Sequence, residues 1–198
     1  MAMTTVFGVH AQAPQGTTAL NLQSVIKVRG QNPVYVARGV SSGGAPDGLA
    51  TDFTLYEDPA GQKPLCVVAP RGPAGALTVT APDGSVLAVL HPPTGGGRPR
   101  YELELPDGTR LVGRPGTAAA WAVYVVLSPL TLLYNAASLI GGYGVDWHLP
   151  SRTVWRAGGG LGPAPLKFYG ITDKYKVRAA QLDPRVAYAQ AVLHFWST

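Results

Sequence analysis

The chain has 198 residues, enough for one domain with a buried core. With 46% hydrophobic against 14% charged residues and a mean hydropathy of +0.10, it lies far from the composition of disordered chains. Its 25 glycines and 18 prolines demand many turns and argue against an all-helical bundle, while a single cysteine, Cys66, excludes an internal disulfide and a cysteine-built zinc site. The net charge of +5 comes from basic residues scattered singly or in close pairs, with no long run that would mark a nucleic-acid tail and no aromatics interleaved among them as stacking platforms would require, which disfavours a nucleic-acid partner.

Residues 1–24 carry no Asp, Glu, Lys or Arg. Ala11-Gln12-Ala13 resembles a signal-peptidase site, but the apolar stretch Val6 to Val9 is too short for the core of a signal peptide and no basic residue precedes Lys27. The segment reads as a flexible N-terminal arm on a cytoplasmic protein, with membrane association left open. Ser24 to Arg29 and Pro33 to Arg38 then read as strands around a Gly30-Gln31-Asn32 turn.

Three strand-turn-strand units follow, with turns at Asp58-Pro59-Ala60-Gly61, Pro82-Asp83-Gly84 and Pro106-Asp107-Gly108. Proline presets φ for a turn, Asp bonds the backbone ahead, and Gly takes the left-handed angle that closes a hairpin. Alternation of Leu103 and Leu105 with Glu102 and Glu104 puts one strand face in a core and the other in water. Cys66, in the apolar run Leu65-Cys66-Val67-Val68, reads as a small buried hydrophobe and not as a nucleophile.

Residues Pro115 to Val145 are uncharged, and Ala118 to Ile140 forms an apolar insertion of 23 residues. As a helix it would be roughly 35 Å long, enough to span a hydrocarbon core. Pro129 and the polar Ser128, Thr131, Asn135 and Ser138 weigh against that. The alternative is a buried strand to Leu127, a break at Ser128-Pro129, and a buried or partner-facing helix ending at Gly141-Gly142. Trp121, Val125, Leu127, Leu130, Leu133 and Leu139 are the candidate contacts to a membrane or a protein partner.

Thr153 to Arg156, Leu166 to Tyr169 and Tyr175 to Arg178 read as further strands. Alternation places Lys174, Lys176 and Arg178 on one strand face, where three cations can bind phosphate on a lipid headgroup, with Arg152 and Arg156 joining if their strands are neighbours. The competing reading is a solvated face that discourages edge pairing. The chain closes with Asp183-Pro184, a helix N-cap with Pro at the first helical position, followed by an apolar run to Trp196 interrupted only by Gln190 and His194. A helix apolar on all sides must be surrounded. At roughly 20 Å it is too short for a bilayer and about right for a barrel axis.

The expected fold is therefore mainly β: an antiparallel β-barrel of about 10–12 strands over residues 25–198, enclosing a hydrophobic C-terminal helix over 183–196. The three hairpin turns and the terminal Asp183 to Trp196 helix resemble the tubby-like superfamily, in particular its LURP-one-related and phospholipid-scramblase branch. The resemblance implies a twelve-stranded barrel around a hydrophobic helix and association with membrane surfaces and phosphoinositides. It carries over no catalytic residues, and the insertion at 118–140 departs from the family pattern. His10, His91, His148 and His194 are too far apart in sequence for a metal motif, and Gly158 to Gly162 lacks the lysine of a phosphate loop, so no metal and no cofactor is expected. The function expected is a non-enzymatic module that associates with a membrane or binds anionic lipid. The alternative is a soluble structural or interaction subunit of a larger assembly.

Overall fold

The computed structural model describes residues 4–11, 22–39, 52–71, 75–94, 99–116, 125–126, 128–130, 132–133, 152–158 and 162–197. They form twelve strands and a C-terminal helix: β1 (Thr4–Ala11), β2 (Leu22–Val28), β3 (Val34–Arg38), β4 (Phe53–Tyr56), β5 (Pro64–Arg71), β6 (Ala76–Thr80), β7 (Val86–Thr94), β8 (Arg100–Glu104), β9 (Arg110–Pro115), β10 (Arg152–Ala157), β11 (Leu166–Tyr169), β12 (Lys174–Arg178) and α1 (Pro184–Trp196). Each strand pairs antiparallel with its neighbours in sequence, and β1 pairs with β12, which closes the barrel.

The three hairpins form as their turn residues dictate. Gly61, Gly84 and Gly108 hold φ of 70°, 86° and 79°, and the carboxylates of Asp58, Asp83 and Asp107 accept backbone N–H bonds from the residues just ahead. Those bonds, and at Asp83 first of all the Ser85 hydroxyl that donates to it at 2.6 Å, hold the three carboxyls below the usual carboxylate range. The helix begins as expected: the Asp183 carboxylate accepts the Arg185 N–H at 2.9 Å, and Pro184 occupies the first turn.

The helix runs inside the barrel, with Val186, Ala187, Ala189, Ala191 and Val192 fully buried among Ile26, Val36, Leu55, Val68, Val79, Leu90, Leu103 and Val177. Aromatic side chains fix its two ends. Phe7 stacks on Tyr175 and meets Tyr188 edge-on at 4.8 Å, and Trp196 meets Phe53 edge-on at 5.1 Å. Trp155 fits inside because Gly113 stands opposite it; a Cβ there would lie 2.5 Å from the indole nitrogen.

Two sequence expectations need correction. Residues 4–11 are not a flexible arm but the closing strand β1, with Phe7 and Val9 buried in the core; the rest of 1–24 up to residue 21 lies outside the described residues. Val125 and Val126 are helical and exposed, not part of a buried strand, and helical residues continue at 128–130 and 132–133. β9 and β10 already pair with each other, so the segment between them has no sheet edge to join, and a helix satisfies its own backbone. No helix among the described residues is long and apolar enough to cross a membrane.

The outward strand positions mix Lys, Arg, Glu and Thr with apolar residues such as the exposed Val67 and Val86, while the inward ones are mostly apolar. Because Phe7 anchors β1 to both β12 and the helix, Phe7→Ala should lower stability by about 3–5 kcal/mol, read as a fall in the urea midpoint.

Candidate functional site

Among the described residues, the titratable side chains inside the barrel are held in their neutral forms. Cys66 is fully buried, and burial pushes its thiol up to about 12, so it stays protonated. His194 is buried in a ring of Tyr101, Trp155, Phe168 and Tyr175, with the Tyr175 hydroxyl 2.8 Å from Nδ1; burial lowers its pKa to about 4. Among the described residues no group of His, Cys, Asp and Glu could hold a metal ion. Gly39-Val40-Ser41-Ser42-Gly43 has the spacing of a hydrolase nucleophile elbow. It begins the connection from β3 to its antiparallel neighbour β4, whereas that elbow joins a strand to a helix in an α/β sheet; residues 40–51 lie outside the described set.

The outside of the wall is different. Every charged residue on β9, β10, β11 and β12 is a cation, and strand register places them in rows across the outward face. One row reads Arg152, Tyr169, Lys174 across β10, β11 and β12. The next reads Arg114, Val154, Lys167, Lys176, Val6 from β9 through to β1. Arg156 and Arg178 lie toward the opposite end of the same face. Thus the expected cations Lys174, Lys176 and Arg178 do share a face, but Arg152 and Arg156 sit two strands away, with β11 between them.

That intervening strand supplies what the sequence reading missed. Lys167 stands directly opposite Lys176, a like-charge pair on adjacent strands. The Tyr169 ring lies between two cations, 5.2 Å from the Arg152 guanidinium and 5.1 Å from the Lys176 ammonium. Aromatic and basic residues are therefore interleaved on the outward face across the strands, whereas along β12 the aromatic between two lysines, Tyr175, is buried. Arg152 Nε is shielded from solvent and has no hydrogen-bond partner. None of the ion pairs among the described residues involves Arg114, Arg152, Lys167, Lys174, Lys176 or Arg178. The face ends at Arg110, which pairs with Glu104 of β8 at 3.3 Å.

The connection from β9 to β10 leaves and re-enters the barrel at the edge of this face, where the Gly116 N–H bonds to the Arg152 carbonyl. Within it Val125, Leu130 and Leu133 are exposed, as are Val126 and Leu132. Trp121, Leu127 and Leu139 lie outside the described residues. An exposed apolar segment rooted in a cationic face can engage a surface that is both anionic and apolar.

No family model, curated protein or solved structure matches the chain.

His194 gives a pH test of the interior assignment. A histidine that must stay neutral when folded, with its pKa lowered from 6.5 to about 4, contributes stability that is complete above pH 6.5 and is lost as pH falls toward 4. The loss should be about 3 kcal/mol. Thermal unfolding followed between these pH values should show it, and His194→Phe should flatten the slope.

Proposed function

We propose that this protein is a non-enzymatic module that binds the surface of membranes containing anionic lipid, through the outward face of β9 to β12 and the apolar connection between β9 and β10. The observation that carries this reading is the absence of any Asp or Glu on those four strands together with the directly opposed Lys167 and Lys176. Opposed like charges weaken a sheet, so a cationic wall is maintained against its own electrostatics, and an anionic surface relieves the repulsion. The likeness to tubby-like and scramblase-branch proteins, in the hairpin turns and the terminal helix, agrees with this reading.

Sedimentation with vesicles of equimolar phosphatidylcholine and phosphatidylserine tests it. Each cation near an anionic surface contributes about 1 kcal/mol, so the double variant Lys167→Ala with Lys176→Ala should partition about 30-fold more weakly. Binding should also fall as salt shortens the screening length from about 10 Å to about 3 Å. Recovery of the whole protein in the supernatant would overturn the reading and leave a protein partner for the apolar connection.

A second variant separates function from folding. Lys167→Glu replaces a repulsive cross-strand pair by an attractive one and should stabilise the barrel by about 0.2–1 kcal/mol while weakening vesicle binding. Loss of binding in a protein that unfolds at a higher temperature excludes misfolding as the cause.

A further inference from the structure

At the end of the barrel where helix α1 enters, a cleft of about 530 Å³ lies between the first turns of the helix and the β2–β3 and β4–β5 turns. That is the size of a small-molecule site, which typically encloses about 300–1,000 Å³. Gln31, Asn32 and Glu57 stand exposed around it, whereas Val34 and Tyr188 are its most buried lining residues. Pro184 and Tyr188, four residues apart, share the helix face that borders the cleft.

Three features of the cleft select its occupant. Tyr188 is 4% exposed, and its hydroxyl has no hydrogen-bond partner among the described residues, although a buried tyrosine ordinarily finds one. The edge-on contact with Phe7 at 4.8 Å holds its ring in place. The positive charge at the cleft is already matched: Arg185 gives Nε and Nη2 to the Asp183 carboxylate at 3.1 and 2.7 Å, and the same carboxylate caps the helix by accepting the Arg185 N–H. Glu57, by contrast, enters no ion pair among the described residues, which leaves it as the uncompensated charge of the cleft.

An anion would meet Glu57 and find Arg185 occupied. A purely apolar guest would desolvate the Tyr188 hydroxyl without pairing it. A guest with an ammonium group for the exposed carboxylate, an oxygen for the buried hydroxyl and a short apolar link against Val34, Leu65 and Pro184 answers every group in the cleft.

We propose that this cleft is a binding site for a small amino alcohol, with the ammonium at Glu57 and the hydroxyl at Tyr188. The inference is independent of the membrane-binding reading, because the cleft shares no residue with β9 to β12.

Calorimetric titration of the full chain with unbranched amino alcohols of three to six carbons tests it, with the alkylamine and the diol of matching length as references. The best-fitting amino alcohol should bind saturably and more tightly than either reference. Glu57→Gln should weaken it about tenfold, and Tyr188→Phe about fivefold. Both substitutions keep the shape of the side chain. The alkylamine should be insensitive to Tyr188→Phe and the diol to Glu57→Gln. No saturable binding by any amino alcohol, equal affinity for the alkylamine, or an unchanged affinity in either variant would overturn the assignment.

Discussion

The structure depends on the mutual need of an apolar helix and a barrel of twelve strands. Helix α1 has no polar side, so it has no stable place in water. A barrel's width grows with strand number, and about eight strands already enclose all that their own side chains can fill. Twelve leave an axial space that a helix occupies. Neither part is stable without the other, and the aromatic contacts at the two ends of the helix set its depth: Phe7 with Tyr175 and Tyr188 at one, Phe53 with Trp196 at the other. The helix also brings its own polar groups inside. His194 finds Tyr175, whereas Gln190 Oε1 finds no hydrogen-bond partner.

With the helix inside the barrel, no Asp, Glu, Lys or Arg among the described residues is buried, so recognition by charge falls to the outer wall and the ends of the barrel. The wall follows two electrostatic rules. On β8, Glu102 pairs with Arg100 and Glu104 with Arg110, the neutralising pattern that stabilises sheets. From β9 to β12 the compensating carboxylates are missing, and Lys167 faces Lys176. The contrast within one barrel separates the cationic face from a general excess of basic residues. A composition-driven bias would spread evenly around the wall, whereas these cations occupy neighbouring strands.

Much of the fold was legible because its signals are local. Pro-Asp-Gly turns, period-two alternation and an Asp-Pro helix start each act within a few residues, and all three hairpins and the helix lie where these features put them. The closing strand β1 was not legible: Phe7 and Val9 alternate with Gly8 and His10 over only a few residues, and its partner β12 lies at the far end of the chain. Val125 and Val126 misled for a related reason. β-branched residues favour a strand only where a neighbouring strand offers an edge, and here none does. The cationic face was half legible. Alternation alone aligned Lys174, Lys176 and Arg178, but Lys167, Tyr169 and Arg114 join them only across strand pairings.

The sequence by itself determined the class of fold, the positions of the tight turns, the buried helix and the inertness of Cys66, because each follows from local torsional preference or from the cost of exposing apolar surface. Tertiary structure alone decided that the barrel closes through β1 and that β11 bridges the two groups of arginines and lysines. These are relations between residues far apart in the chain, and strand register, which no local preference encodes, sets them.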